Sequence, residues 1–136
     1  MKKTIALVAH DQKKIMMAEW TNKYKDILKE HHLVGTEGTA KMIKKIANLQ
    51  VQALGHGPDG GDIVVANEVL SDKIDMLIFF IDAKTPHGHE HDIQTLIRIS
   101  VLKEIPLALN MKTADYMIET ELMKNKNEVN NDSRKN

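Results

Sequence analysis

The chain has 136 residues, enough for one domain with a core of ordinary size. It contains no cysteine, which excludes disulfides, thiolate metal sites and a cysteine nucleophile, and which suits the reducing cytoplasm where we expect the protein to act. Its 19 basic and 19 acidic residues leave no net charge, so the chain as a whole does not attract nucleic acid or an anionic membrane.

Short apolar runs alternate with segments of helical periodicity along most of the chain. The predicted strands are, in chain order, 4–9, 33–34, 51–54, 74–81 and 105–109. The predicted helices between and after them are 15–31, 39–46, 62–70, 92–101 and 113–123. We expect the first four helices to be capped by Asp11, Thr39, Asp62 and Asp92.

This alternation predicts an α/β fold: a single-domain three-layer sandwich with a doubly wound, mostly parallel five-stranded sheet between helices. The domain is expected to cover residues 1–123. The polar segment 124–136 contains a single apolar residue, Val129, and is predicted to be a flexible tail.

Glycine and histidine are concentrated in the segments that follow the predicted strands. In such a sheet, ligands bind beyond the carboxyl ends of the strands. All seven glycines and five of the seven histidines fall in 10–11, 35–39, 55–62 and 82–92. The other two histidines, His31 and His32, are expected at the surface. The pattern therefore predicts one polar site at one edge of the sheet.

Two of these glycine loops, 35–39 and 55–62, precede or open predicted helices, whose free N–H groups favour anions. Lys14 lies in the first turn of another helix. A cation there interacts unfavourably with the helix dipole and destabilises the helix by roughly 0.3–1 kcal/mol. A bound phosphate would reverse that cost. The alternative interpretation is ordinary tight turns beside a solvated lysine.

The acidic and histidine residues of these segments allow more than one chemistry. Asp62 is either a helix cap or, in a pocket that excludes water, a general base. His87, His89 and His91 could bind zinc or iron with Asp92, which would indicate a metallohydrolase. The alternative interpretations are a solvated histidine-rich loop, or a neutral histidine near the helix start that acts without metal as an electrophile or proton shuttle.

Five blocks in this order resemble the methylglyoxal synthase family, over about residues 3–118. They are 5–11 with Lys14, 57–62 (Gly-Pro-Asp-Gly-Gly-Asp), 74–82, 89–98 and 105–115. The family eliminates phosphate from dihydroxyacetone phosphate to give methylglyoxal. The resemblance implies no metal and no organic cofactor, a homo-oligomer, by analogy a hexamer, and inorganic phosphate as product and inhibitor.

The resemblance also implies roles for individual residues. Asp62 would be the general base that forms an enediolate, and His89 would polarise the carbonyl and shuttle protons. Asp92 and Asp82 would orient the histidines or share in proton transfer, and Asp59 is a rival base. The residues expected to bind substrate or its phosphate are His10, Lys14, Thr36, Glu37, Gly38, Thr39, His56, Gly57, His89 and Arg98; His10 is also expected to be catalytic.

The chain departs from the family pattern chiefly in the phosphate loop. The usual T-G-T-T-G is Thr-Glu-Gly-Thr-Ala at 36–40, and the usual Ser-Gly-Pro begins with His56. The base, the shuttle and Lys14 are retained, so we expect altered phosphate binding rather than altered chemistry. A non-catalytic module of the same kind that binds a phosphorylated metabolite stays open as the alternative.

Overall fold

The computed structural model of the protein describes residues 2–55, 61–84 and 90–120, without the side chains of residues 62 and 90–92. The predicted tail at 124–136 lies outside these ranges. In the described part of the chain, every helix is too short or too polar to cross a membrane.

A parallel sheet of five strands forms the centre of the described chain, in the order β3-β2-β1-β4-β5. The strands are β1 (Thr4–Ala9), β2 (His32–Gly35), β3 (Gln52–Ala53), β4 (Met76–Phe80) and β5 (Leu107–Ala108). The chain runs outward from β1 to β3 and then crosses to β4 on the other side of β1. The strand order therefore reverses between β1 and β4, which makes the carboxyl ends of these two strands the switch point of the sheet.

Helices cover both faces of the sheet, as the sequence predicts. They are α1 (Lys14–Lys23), α2 (Lys25–Leu28), α3 (Glu37–Ala47), α4 (Gly61–Leu70), α5 (Glu90–Leu102) and α6 (Met111–Ile118). Alternate residues of β1 point to opposite faces: Ile5 and Leu7 enter a core with α1, α3 and α6, whereas Ala6 and Val8 enter a core with α4 and α5. The predicted three-layer α/β sandwich is thus confirmed.

Several helices begin earlier than their predicted caps. Thr36, not Thr39, is the N-cap of α3, and Thr39 is buried inside the first turn. His10 precedes a short 3₁₀ turn at Asp11–Lys13, so Asp11 is not the cap either. Helices α4 and α5 begin at Gly61 and Glu90, which places Asp62 and Asp92 within their first turns. The acidic residues Asp62 and Asp92 still lie where negative charge favours the positive end of the helix.

The predicted helix 15–31 is interrupted at Tyr24, between α1 and α2. The Tyr24 hydroxyl contacts carboxylate oxygens of Glu119 at 2.8 Å and Asp115 at 3.1 Å, and Trp20 Nε1 donates to the same Asp115 oxygen at 2.9 Å. Burial raises the pKa of Tyr24 well above its ordinary value, as do the hydrogen bonds to Glu119 and Asp115. We call Trp20, Tyr24, Asp115 and Glu119 the α1–α6 cluster, because these contacts fasten the end of α1 to α6.

His31 is buried rather than exposed, contrary to the prediction, and it supports the start of β1. Its Nδ1 accepts the backbone N–H of Lys3 at 3.0 Å. Asp75 accepts the next N–H, that of Thr4, at 2.8 Å. These side chains bond two N–H groups at the amino end of β1. His32 is exposed, as expected.

Candidate functional site

His10 and Asp82 lie at the switch point, directly after β1 and β4. The two strands pair up to Ala9 and Phe80, and the His10 N–H donates to the Phe80 carbonyl at 3.2 Å. The Asp82 N–H donates to His10 Nδ1 at 2.9 Å. Both side chains are buried, and the His10 ring meets the edge of Phe79 with 5.1 Å between ring centroids. The structure therefore fixes the imidazole by its backbone and by one ring nitrogen.

The hydrogen bond to Nδ1 determines the form of His10. Because Nδ1 accepts, a neutral imidazole here carries its proton on Nε2 and acts there as a donor. Asp82 Oδ1 accepts the N–H of Lys84 at 3.0 Å, which closes the turn after β4. This pair can present a hydrogen-bond donor at the switch point, the arrangement expected for polarising or holding a substrate oxygen.

Lys14 places its ammonium group beside the first turn of α3. Nζ lies 2.5 Å from the position that a Cβ on Gly38 would occupy. On its other side it donates to Asp11 Oδ1 at 2.6 Å. The Lys14 side chain is 23% exposed and that of Asp11 is 89% exposed. The ammonium therefore lies beside Gly38 in the first turn of α3 and is paired with a carboxylate that solvent can reach.

The first turn of α3 lies beside this ammonium and carries two hydroxyl groups. Thr36 and Thr39 are both buried, and their hydroxyl oxygens are 3.1 Å apart. The Thr36 side chain does not cap the helix, so the N–H groups of the first turn receive no bond from it. The N–H groups of a helix start point outward and favour negative charge. The structure thus places Lys14 beside Gly38, in the turn that also contains Thr39 and follows Thr36; their role in phosphate binding stays a prediction.

Glu37 directs its carboxylate along α3. It forms an ion pair with Lys41 at 2.9 Å, one helical turn further on. Both residues line an open groove of about 580 Å³ beside α3 and β3, which Gly55 also lines. The Glu37 carboxylate is therefore paired along the helix, although its negative charge still lies in the first turn of α3.

Two of the loop glycines have backbone reasons for being glycine. A Cβ on Gly35 would collide with the Leu7 carbonyl oxygen, so β2 could not approach β1 as closely. Gly55 has a φ of +67°, which favours glycine over other residues. The sequence pattern predicts both glycines in ligand loops. The structure shows that Gly35 is also required for close strand packing and Gly55 for its positive φ.

Several predicted site residues lie outside the described part of the chain. These are His56, Gly57 and His89, with the side chains of Asp62 and Asp92. The backbone places Asp62 in the first turn of α4 and Asp92 in the first turn of α5. Because α4 follows β3 and α5 follows β4, both turns face the carboxyl edge of the parallel sheet. Their roles stay predictions, as do those of Asp59, His87 and His91.

Arg98 is exposed on α5, two turns from the first residue of that helix. Its predicted role was in phosphate or subunit contacts, and its exposure suits the second better. No three histidine, aspartate or glutamate side chains in the described ranges are grouped as metal ligands. The predicted metal alternative rests on His87 and His89, outside those ranges, and on the side chains of His91 and Asp92, which the structure does not describe.

Sequence reasoning missed the partner of Lys14. The sequence pattern predicts Asp11 as a helix cap, but its spacing of three residues from Lys14 is also a recognised spacing for a side-chain ion pair. Sequence reasoning also missed Lys41 as the partner of Glu37, although a spacing of four residues is likewise typical of an ion pair on a helix.

The fold and the polar side chains define the class of protein: a doubly wound α/β protein with polar residues at the switch point of its sheet. A family model described as MGS-like domain matches residues 16–109. A protein of Clostridium acetobutylicum named methylglyoxal synthase is 42% identical over 127 residues, which are 93% of this chain and 88% of that protein. One of Rhizobium rhizogenes with the same name is 44% identical over 119 residues, 87% of this chain and 94% of that one.

A solved structure agrees with these sequence matches. The crystal structure of methylglyoxal synthase from Elizabethkingia anophelis superimposes with a TM-score of 0.85 at 35% identity, covering 90% of this chain and 81% of that one. The chain belongs to the methylglyoxal synthase family.

Proposed function

We propose that the protein is a lyase that converts dihydroxyacetone phosphate to methylglyoxal and inorganic phosphate. The observation that carries the proposal is the Lys14 ammonium beside the first turn of α3, in a chain 42% identical to a protein named methylglyoxal synthase. In finer terms we propose a carbon–oxygen lyase that acts on a phosphate. The substrate partner is a small phosphorylated molecule.

Binding would begin at the phosphate. Its negative charge would meet the Lys14 ammonium and the N–H groups at the start of α3, with the Thr36 and Thr39 hydroxyls beside them. His10, fixed at the switch point with Nε2 as its donor, would bond a substrate oxygen. His56, Gly57 and the loop that contains them would complete the phosphate contacts.

The first chemical step is the removal of a proton. Asp62 would take a proton from the carbon that bears the hydroxyl group, and the electron pair of that C–H bond would form a carbon–carbon double bond. The carbonyl oxygen then becomes an enediolate oxygen, whose negative charge His89 and other donors stabilise. Asp92 and Asp82 would orient the histidines during this step.

The second step breaks the bond between carbon and the bridging phosphate oxygen. The enediol hydroxyl loses its proton to become an aldehyde, and its electrons displace phosphate, which leaves with the bridging oxygen. The remaining enolate takes a proton on its methylene carbon to give methylglyoxal. Lys14 and the α3 N–H groups stabilise the phosphate as it leaves. Displacement requires the breaking bond to lie out of the enediolate plane, where it overlaps the π electrons.

Incubation of the pure protein with dihydroxyacetone phosphate tests the proposal. Methylglyoxal and phosphate should appear in equal amounts, and Asp62→Asn should reduce kcat at least about a hundredfold, as expected for loss of a general base. Asp26→Asn is the matched control, because Asp26 is 97% exposed and remote from the site in sequence. Binding of phosphorylated ligand without turnover would instead support the non-catalytic module.

Assembly, inhibition and location belong to the same proposal. We expect a homo-oligomer, a hexamer by resemblance, and exposed apolar side chains on α4 and α5 support such contacts: Ile63, Val101 and Leu102. Native mass spectrometry gives the number of chains directly. Inorganic phosphate should compete with the substrate, since both need Lys14. The cytoplasm is the expected location.

A further inference from the structure

We propose that Gly38 is a positioning residue for Lys14: its missing side chain leaves the space that the lysine ammonium occupies. This deepens the proposed function and rests on Lys14 as the group that binds the substrate phosphate. In the family pattern this position is a threonine, so the arrangement is a property of this chain.

The distances carry the inference. A Cβ on Gly38 would lie 2.5 Å from Lys14 Nζ, 3.1 Å from Cε and 3.8 Å from Cδ. The end of the lysine side chain therefore lies along the helix surface at position 38. A side chain there would require the ammonium to shift from its present position.

Gly38 has no other geometric need to be glycine. It lies in the first turn of α3, and the positive φ recorded for a described glycine belongs to Gly55. A Cβ on Gly35 would meet backbone, whereas one on Gly38 meets only the far end of a flexible side chain. Gly38→Ala should therefore leave the protein folded, with a melting temperature that is unchanged or higher, because alanine favours the helix.

Displacement of the ammonium has a functional cost. Asp11 holds Nζ at 2.6 Å on one side, and Gly38 leaves open the side that faces the α3 N–H groups. When a dianion binds, the ammonium and these N–H groups act on it together. With a methyl group at position 38 the ammonium has to leave this position, which should weaken its contact with the dianion.

A double-mutant cycle with inorganic phosphate as the probe tests the inference. Gly38→Ala should weaken phosphate binding about tenfold, the lower range for a hydrogen bond to a charged group. It should raise KM for dihydroxyacetone phosphate by a similar factor with little change in kcat. In a Lys14→Met background Gly38→Ala should have no further effect. Lys13→Met is the control, since it removes the same charge one residue earlier.

Equal weakening by Gly38→Ala in both backgrounds would overturn the inference, because the glycine would then act on the ligand and not on Lys14. No weakening in the wild-type background would overturn it too. If Lys14→Met binds phosphate too weakly to measure, a crystal structure of Gly38→Ala decides: an ammonium still beside the α3 turn contradicts the proposal. A wild-type protein that binds phosphate but does not turn over substrate refutes the proposed function alone.

Discussion

Helix α1 carries a charged arrangement at each end, and the two ends differ in what surrounds the charge. At its start the Lys14 ammonium pairs with the Asp11 carboxylate, which is 89% exposed. At its end the Asp115 carboxylate accepts hydrogen bonds from the side chains of Trp20 and Tyr24, both of which are buried. The partner of Lys14 is open to solvent, whereas the Asp115 carboxylate bonds the donors of two buried side chains.

This difference separates binding from stability along one helix. An exposed ion pair contributes little to the free energy of folding, because water solvates both charges well when they part. Buried N–H and O–H donors depend on their acceptor, since without it they lose their hydrogen bonds in a place that water does not enter. Substitutions at the start of α1 should therefore affect ligand binding, and substitutions at its end should affect folding.

Lys14→Met gives the largest expected effect. It should lower kcat/KM for dihydroxyacetone phosphate about a hundredfold, equivalent to about 2.7 kcal/mol, because the phosphate loses a charged hydrogen bond. Steady-state kinetics measure the loss, and thermal unfolding should show almost no change. A large drop in melting temperature with normal kcat/KM would reverse the assignment of the two ends.

Asp115→Ala should have the opposite profile. It removes the acceptor of Trp20 Nε1 and one acceptor of the Tyr24 hydroxyl, so the free energy of unfolding should fall by about 2 kcal/mol. Urea denaturation measures this change. The variant should keep its kcat/KM at temperatures where it is folded; a loss of activity in the folded variant would show that the α1–α6 cluster takes part in function.

The fold was predictable because its signals are local and periodic. Continuous apolar runs such as β1 and β4, which are buried on both faces, alternate with helical spacing and leave few other arrangements. The positions of Lys14 and His10 at the carboxyl edge follow from that alternation alone. Strand β1 has the predicted bounds, since nothing at its ends competes with the apolar pattern.

The misassigned details depend on tertiary contacts. His31 is buried because it accepts the N–H of Lys3, a residue 28 positions away. The break at Tyr24 coincides with contacts to α6, more than 90 residues along the chain. Asp115 belongs to a block that resembles the family pattern, yet its contacts are structural. A matching motif therefore did not distinguish a residue that fastens helices from one that meets a ligand.

Tyr24→Phe tests the α1–α6 cluster through its pH dependence. The raised pKa keeps Tyr24 protonated in the native state, while an unfolded tyrosine loses its proton near pH 10. Above that pH the unfolded state holds fewer protons, so the stability that Tyr24 contributes is complete below pH 10 and is lost as the pH rises toward the raised pKa.

The variant should therefore be about 1 kcal/mol less stable than the wild type at neutral pH. The difference in free energy of unfolding between the two proteins should decrease above pH 10 by up to about 1.4 kcal/mol per pH unit. Paired urea denaturation curves at each pH measure it, and the comparison cancels the titration of the lysines common to both proteins. A difference in unfolding free energy between the two proteins that stays constant up to pH 11 would contradict the raised pKa of Tyr24.

Glu37→Gln has the smallest expected effect and separates binding from folding within a single side chain. The carboxylate lies in the first turn of α3, where it stabilises the helix by about 0.5 kcal/mol but opposes an arriving dianion. The variant should thus be slightly less stable and yet bind inorganic phosphate about twofold more tightly. Lys41→Met, which removes the partner of Glu37, should weaken phosphate binding instead. If both variants change phosphate affinity in the same direction, the charge of Glu37 does not act on the anion. The ion pair of Glu37 with Lys41 would then stabilise α3 without affecting phosphate binding.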